Sequence, residues 1–197
     1  MKQALFFVTT WLFVSFLSAN AQTTPTPSQR TMQPVGESDT YNRADVARLR
    51  LELSDAWRQS EKYSLVIAEQ MPAEYYFFRS TDSTMTFSEQ WRHCMIYTCN
   101  QLSGRLDVDN PYKGKKPPVQ MPKEQILSEL KMFYAHVQRS IETLPVPKLY
   151  EMTTLPDGDI PGWRLFYALE NHIIHHRGQC IVYLRLKGIH PKGYFGW

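Results

Sequence analysis

The sequence predicts an all-α protein, a four-helix bundle, and two observations point to this class. In four separate segments, apolar residues recur at steps of three and four, as they do along one face of an α-helix. No segment shows a convincing alternation of apolar and polar residues with hairpin turns, so strands are not needed to explain the pattern. We therefore expect four helices packed around one apolar core.

The chain before the bundle has the pattern of an export signal and a linker. Lys2 precedes an apolar run from Ala4 to Leu17, and residues 18–22 read as a small-residue cleavage site, so residues 1–21 predict a signal peptide. The run is shorter than the ~20 residues that span a bilayer. We expect export to a periplasm or the medium with no membrane span after cleavage; an uncleaved anchor is the alternative.

Residues 22–40, rich in Thr, Pro, Ser and Gln, predict a disordered linker. Residues 41–197 are predicted to form the folded domain.

The first two predicted helices begin at capping signals. Asn42 is placed to cap a helix that runs from Arg43 to Gln70. Thr86 and Glu89 have the spacing of a capping box and begin a second helix that continues to Gly104. The apolar faces of the two helices include Val46, Leu53, Trp57, Ile67, Trp91, Cys94, Met95 and Leu102.

Prolines mark the third and fourth helices. Pro122 occupies a first helical position and Pro145 follows the end of the third helix, while the fourth runs from Pro161 to about Lys187. Their inward stripes are Ile126, Leu130, Phe133, Val137, Ile141 and Leu144, and then Leu165, Leu169, His172, His176, Cys180 and Tyr183. The connection over residues 104–121 is long for adjacent antiparallel helices, so we expect a crossover between helices 2 and 3 that crosses an end of the bundle.

Charge and cysteine content narrow the function classes. The formal net charge is +3 and the basic residues are scattered, so a nucleic-acid partner is not expected. The basic run at residues 113–116 is typical of a solvated loop rather than a phosphate site. Three cysteines allow at most one disulfide bridge within the chain. Cys94 and Cys99 lie on one predicted helix and do not face each other, so a bridge would join one of them to Cys180. Buried free thiols are the simpler interpretation.

Three of the six histidines fall within residues 172–176. His172 and His176 are four residues apart, which places them on one helix face with Cβ atoms about 5 to 6 Å apart. Two imidazoles so placed can reach one metal ion at ~2.0 to 2.1 Å. His93, on another helix, is available as a third ligand, since metal sites in bundles are assembled from facing helices. By spacing alone, a hydrogen-bonded core pair remains the alternative.

The other histidines have weaker claims to a site. His175 lies about 60° around the helix from His172, which makes it a flanking residue. His136 is one step from the stripe of the third helix and His190 lies in the C-terminal tail, so both are expected at the rim or in solvent. Ile173 stands where zinc proteases of the His-Glu-x-x-His type carry their glutamate, which argues against that class.

The C-terminal motif resembles the DinB family, within it the YfiT-type metal-binding bundles. The resemblance rests on residues 172–179, on residues 183–189 with Pro191, and on Met85–His93, which is similar to the family's second-helix segment ending in its first metal histidine. It covers about residues 43–191. It implies a four-helix bundle in up-down-down-up order.

The resemblance also implies a divalent metal site held by three histidines. Carried over position by position, the ligands are His93, His172 and His176. Imidazole suits zinc, nickel and iron alike, so the sequence leaves the identity of the cofactor open. A homodimer, common among relatives, is a further expectation from the resemblance.

Three imidazoles leave a divalent ion with an open position, which is typical of catalytic sites. The resemblance implies a possible enzyme, since the family includes enzymes that use the metal to turn a small thiol into a nucleophile. Small thiols are scarce outside the cytosol, where an exported enzyme works. A water activated by the metal is therefore the more general nucleophile. We therefore predict a metal-dependent transferase or hydrolase acting on an unidentified small molecule. The alternative is a non-catalytic metal-binding or interaction protein with a structural ion.

The general base cannot be assigned from the pattern. Tyr97, His175, Arg177 and Gln179 are candidates by proximity to the predicted ligands alone. Arg177 has an equally strong alternative, which is an ion pair with an acid such as Glu170 on the same helix.

Overall fold

The computed structural model describes residues 42–194, and within this range four long helices enclose one apolar core. The long helices are α1 (Arg43–Gln70), α2 (Phe87–Leu106), α3 (Lys123–Thr143) and, after a short α4 (Val146–Tyr150), α5 (Gly162–Leu186). A 3-10 turn (Ala73–Tyr75) follows α1, and strands β1 (Met152–Leu155) and β2 (Gly158–Pro161) precede α5. The predicted helical bundle is confirmed. The predicted signal peptide and linker lie outside the described residues.

Capping groups hold the starts of α1 and α2 where the sequence predicts them. The Asn42 side chain accepts a hydrogen bond from the Ala44 amide at 3.0 Å. Thr86 Oγ1 accepts from the Glu89 amide at 3.2 Å, and the Glu89 carboxylate accepts from the Thr86 amide at 2.7 Å, which is a complete capping box. At α3 the prediction is one residue off, because Pro122 precedes the first helical residue rather than occupying it.

Contacts near the helix ends define the directions of the helices. The Arg50 guanidinium, near the start of α1, donates to the Leu144 carbonyl at the end of α3, so these two helices are antiparallel. Tyr183, near the end of α5, donates to the Met85 carbonyl just before α2 at 2.9 Å, so α2 and α5 are antiparallel. Gln70 ends α1 and accepts from the Lys192 amide just after α5 at 2.8 Å, so α1 and α5 are parallel. The order is up-down-down-up.

The long crossover predicted between helices 2 and 3 is confirmed, but it runs the length of the bundle from α2 to α3 rather than across an end. Asn110 donates to Asn100 near the end of α2 at 2.9 Å, whereas the Met121 amide donates to Ser88 at the start of α2 at 3.0 Å. Because α2 and α3 are parallel, the chain must return the full length of a helix before α3 can begin. Arg92, in the second turn of α2, holds the returning chain against this helix by donating to the Pro117 carbonyl at 3.0 Å.

A short hairpin that the sequence pattern did not indicate adds two strands to the all-α fold. Met152 pairs with Pro161 and Leu155 with Gly158 in antiparallel register. Four-residue strands are too short to give a clear alternation in the sequence. The backbone of Gly158 has φ +127°, which glycine alone adopts readily. The hairpin leads directly into α5 at Gly162.

The core is rich in aromatic residues and contains the cysteines. Its largest fully buried side chains include Trp57, Trp91, Tyr134, Phe133 and Phe166. Cys94, Cys99 and Cys180 are all buried and free, so the bridge to Cys180 that the sequence left open does not form. Burial raises the pKa of all three thiols, which keeps them protonated and unreactive. None of the helices within residues 42–194 is long and apolar enough to cross a membrane.

Candidate metal centre

Three histidines from two facing helices meet at one point. His93 comes from α2, while His172 and His176 come from successive turns of α5. The Nε2 atom of His172 lies 3.2 Å from Nε2 of His93 and 3.1 Å from Nε2 of His176. The potential ligand atoms of all three lie within 4.8 Å of one another, so the structure brings together the three residues that the sequence selects.

Two of the separations between the three nitrogens fit a common divalent ion. Two nitrogens that each lie ~2.0 to 2.1 Å from one ion are about 2.9 Å apart at a right angle and about 3.4 Å apart at the tetrahedral angle. The separations of 3.1 and 3.2 Å fall between these values. Two imidazole lone pairs at this distance repel each other unless a proton or a cation lies between them, and a cation can satisfy all three at once.

Packing of α2 against α5 fixes this geometry. Trp91, Cys94 and Met95 on α2 are buried on both sides of His93, and Ile173 and Cys180 are buried beside the α5 histidines. Rotation of either helix about its axis would expose these apolar groups to water, at a cost of about 25 cal/mol per Å². The histidines are therefore held by the core rather than by a loop.

His176 is oriented by a buried amide. Its Nδ1–H donates to Oε1 of Gln90 on α2 at 2.5 Å, and this tautomer leaves the Nε2 lone pair directed at His172. The amide of Gln90 donates in turn to the Tyr183 hydroxyl at 3.4 Å. By contrast, Nδ1 of His172 is buried and has no hydrogen-bond partner among residues 42–194.

The surroundings favour neutral imidazoles, the form that binds metals. Burial, reinforced by the neighbouring histidines, lowers the pKa of His172 and of His176 to about 4. Burial also lowers the pKa of His93. At neutral pH all three rings therefore carry a free lone pair with little competition from protons.

Tyr97 lies one turn after His93 and forms a wall of the cluster. Its ring centroid is 4.3 Å from that of His172 and 5.7 Å from that of His93. The Tyr97 side chain remains 38% exposed, so the cluster lies at the edge of the core and within reach of solvent. A groove of about 340 Å³ begins beside His93 and Tyr97 and includes Arg92, Asn100 and, from the crossover, Val119.

The other candidates lie apart from the three histidines or face elsewhere. His175 is exposed, with its ring 5.0 Å from that of His176, as expected of a flanking residue. His190 and Gln179 are exposed, and His136 is half-buried on α3. Arg177 faces α1 and contacts Ser60 and Glu170. Of the four proposed bases, Tyr97 lies against the rings of His93 and His172, and His175 contacts His176 from the solvent side.

The sequence reasoning missed Gln90. A signal existed, because Gln90 precedes His93 by three residues and therefore shares its face of α2. Tyr183 was placed in the inward stripe of the fourth helix, but nothing in the sequence indicated its contact with Gln90. Both contacts join residues that are more than 80 positions apart in the chain.

Comparisons with known proteins agree with the fold. The sequence profile of the DinB superfamily matches residues 56–180. The solved structure of a DinB-like protein, YjoA, from Bacillus subtilis is similar to this chain with a TM-score of 0.61 and 16% sequence identity, covering 74% of this chain and 98% of that chain. A search of curated proteins found no significant match.

Proposed function

We propose, because this chain belongs to the DinB superfamily, that it binds a divalent metal ion through His93, His172 and His176 and acts as a metal-dependent enzyme. The observation that carries the proposal is the convergence of three Nε2 atoms, two pairs of them 3.1 and 3.2 Å apart. Zinc, nickel and iron all suit three imidazoles, and we take zinc as the first candidate to test.

A structural role for the ion is the weaker alternative. α2 and α5 already share a core that includes Trp91, Met95 and Tyr183, each at most 1% exposed. The capping box holds the start of α2 without any ion. An ion is therefore not required to hold these helices together, and three ligands leave room for a fourth, exchangeable one.

The chemistry proposed is transfer or hydrolysis at a small electrophile. A divalent ion here would supply a Lewis acid that turns a water or a thiol into a stronger nucleophile at neutral pH. Tyr97 lies against two of the rings and is positioned to orient a substrate at the open side. Arg92 and Asn100 line the adjoining groove and offer donors for a polar or anionic group of that substrate.

Export remains part of the proposal. The N-terminal pattern supports delivery to a periplasm or the medium, where low-molecular-weight thiols are scarce. Water is therefore the first nucleophile to test and a thiol the second. A homodimer is also proposed, by analogy with the family.

The decisive experiment measures metal content of the natively purified protein by elemental analysis. We expect about one divalent ion per chain in the wild type and a loss of most of it in His93→Ala, His172→Ala and His176→Ala. His175→Ala is the matched control, because it removes an adjacent imidazole that faces solvent, and it should retain the ion. Full occupancy in all three ligand variants would contradict the site.

A second measurement separates the enzyme from the structural alternative. The metal-free wild type and the ligand variants should stay folded and unfold cooperatively in a thermal scan, whereas loss of a structural ion, which contributes folding free energy directly, would leave them largely unfolded. The loaded protein is then assayed for ester hydrolysis and for thiol conjugation. Activity that disappears in His172→Ala supports the enzyme, and a fully loaded protein that is inactive on every ester and electrophile tested would favour the non-catalytic alternative.

A further inference from the structure

We propose that Gln90 is the positioning residue for the ligand His176, and that the Tyr183 hydroxyl and the Met85 carbonyl in turn fix the Gln90 amide. This inference rests on the proposed function, because it concerns how one of the three ligands is aimed. It assigns roles to two side chains, those of Gln90 and Tyr183, that would not themselves touch a metal ion. It also predicts that the three ligands are not equivalent.

The first step of the argument is burial. The Gln90 side chain is 4% exposed, and His176 is 9% exposed. A buried amide without partners costs free energy, so the hydrogen bonds of Gln90 must be satisfied inside the protein. The structure provides a partner at each end, with His176 at the carbonyl oxygen and Tyr183 at the amide nitrogen.

The second step is the direction of the hydrogen bonds. The Tyr183 hydroxyl donates its proton to the Met85 carbonyl at 2.9 Å. Its oxygen is then left as an acceptor, which suits the NH₂ group of Gln90 at 3.4 Å. The Gln90 oxygen must therefore face His176, and it accepts there from the Nδ1–H of the imidazole.

The third step is the consequence for the ring. A proton held on Nδ1 leaves the Nε2 lone pair free and directs it at His172, 3.1 Å away. His172 has no comparable support, since its buried Nδ1 has no hydrogen-bond partner in the described part of the chain and its ring rests against Tyr97. His176 is thus the ligand whose tautomer is determined before an ion arrives.

The primary test is Gln90→Leu, which removes both hydrogen bonds and keeps a similar volume. We expect the Kd for Zn²⁺ to rise by about 10- to 100-fold, the range found when outer partners of metal histidines are removed. Tyr183→Phe deletes only the hydroxyl and should give a smaller rise. Gln90→Glu keeps an acceptor for Nδ1–H and should retain most of the affinity that Gln90→Leu loses.

Gln138 provides a matched control elsewhere in the bundle. It is half-buried, accepts from Ser54 Oγ at 2.7 Å and donates to the Ser54 carbonyl at 2.9 Å, between α1 and α3. Gln138→Leu therefore deletes a similar pair of hydrogen bonds away from the histidines. It should leave the Kd for Zn²⁺ unchanged. An equal rise in Kd for both variants would mean that Gln90 acts through general stability, and would overturn the proposal.

A readout that needs no metal distinguishes this inference from the proposed function. Nitrogen-15 NMR of the metal-free protein reports which imidazole nitrogen carries the proton. We expect Nδ1–H for His176 in the wild type and in Gln138→Leu, and a mixture of tautomers in Gln90→Leu. Tyr183→Phe should also shift His176 toward a mixture of tautomers. This variant replaces Gln90→Leu in the experiment if Gln90→Leu does not fold.

The results distinguish a failure of this inference from a failure of the proposed metal site. If wild-type protein binds no Zn²⁺ but His176 shows the Gln90-dependent tautomer, the proposed metal site fails while the orientation by Gln90 stands. If Zn²⁺ binds with unchanged Kd in Gln90→Leu and the tautomer does not respond, the positioning role is wrong and the metal site stands.

Discussion

Two neighbouring residues of α5 point about 100° apart around the helix and enter two different polar clusters. His176 faces α2 and joins His93 and His172, whereas Arg177 faces α1 and joins a cluster that we call the Arg177 cluster. This cluster consists of Arg177, Glu170, Ser60, Ser64 and Tyr134. Both clusters place polar side chains in an apolar bundle, but they satisfy them differently.

The Arg177 cluster contains the partners that it needs. The guanidinium donates to the Ser60 carbonyl at 3.2 Å and to the Ser60 and Ser64 hydroxyls at 3.1 Å each. Its Nη2 lies 3.9 Å from a Glu170 oxygen, and both side chains are less than 10% exposed. The guanidinium carbon also lies 5.0 Å from the centre of the Tyr63 ring. Donors face acceptors throughout, so this cluster has no need of a ligand.

In the histidine cluster, ring nitrogens face ring nitrogens. The Nε2 atoms lie 3.1 and 3.2 Å apart, and the one imidazole that has a strong partner, His176, uses it to free its Nε2 lone pair. The difference indicates that burial of polar groups alone does not mark a functional site. A functional site is marked instead by buried polar groups whose interactions are completed only by an external ion or proton.

The largest expected effect concerns the Arg177 cluster. Arg177→Met should lower the free energy of unfolding by about 3 to 5 kcal/mol, because Glu170 and two serine hydroxyls lose a buried partner. Urea denaturation measures the change. Arg185→Met, at an exposed position on the same helix, should alter stability by no more than about 0.5 kcal/mol. A loss as small as that of the control would remove the structural role assigned to Arg177.

The second largest expected effect is that Zn²⁺ stabilises the protein through the histidine cluster, independently of the Arg177 cluster. Zn²⁺ at about 100 times its Kd should stabilise the wild type by about 2.7 kcal/mol, since it binds the folded form. Arg177→Met should gain the same increment from its lower starting point, whereas His176→Ala should gain little. Thermal or urea unfolding with Zn²⁺ or with a chelator checks this. If Arg177→Met gained no stabilisation, the two clusters would not be independent.

Lowering the pH should change the stability contributions of the two clusters in opposite directions. The pKa of His172 and His176 is lowered from 6.5 to about 4, so the unfolded chain takes up protons first as the pH falls. Their contribution to the stability of the metal-free protein is fully present above about pH 6.5 and is lost as the pH falls to about 4. Unfolding measured against pH should lose much of this slope in the His172→Gln/His176→Gln variant.

Glu170 provides the opposite case. Burial is the main cause that raises the pKa of Glu170 above its ordinary value of 4.5, against the smaller effects of Ser60 and Arg177. The folded state therefore binds a proton first, and the contribution of Glu170 to stability increases as the pH falls through its raised pKa toward about 4.5. Glu170→Gln should steepen the loss of stability with acid, and a shallower loss would contradict the sign assigned here.

The smallest expected effect tests a third neighbour on the same helix. His175 is exposed and its ring lies 5.0 Å from that of His176. His175→Ala should change stability by no more than about 0.5 kcal/mol and leave the Kd for Zn²⁺ nearly unchanged in isothermal titration. A large loss of affinity would move His175 from a flanking position into the site.

The sequence predicted the helices well because their signals are local. The Asn42 cap and the Thr86–Glu89 capping box each act within one turn, and the structure has both. The hairpin at residues 152–161 escaped prediction because its strands are four residues long. The path of the crossover was also predicted wrongly, because it depends on the parallel arrangement of α2 and α3.

The sequence by itself determined which side chains could form the site, since the i, i+4 spacing of His172 and His176 is a property of any helix that contains them. Only the tertiary structure decided that His93 meets them, that Gln90 orients His176 across 86 residues, and that Arg177 faces α1. The physical reason is that a helix fixes the spacing of its own residues, whereas its rotation against its neighbours is set by core packing between distant parts of the chain.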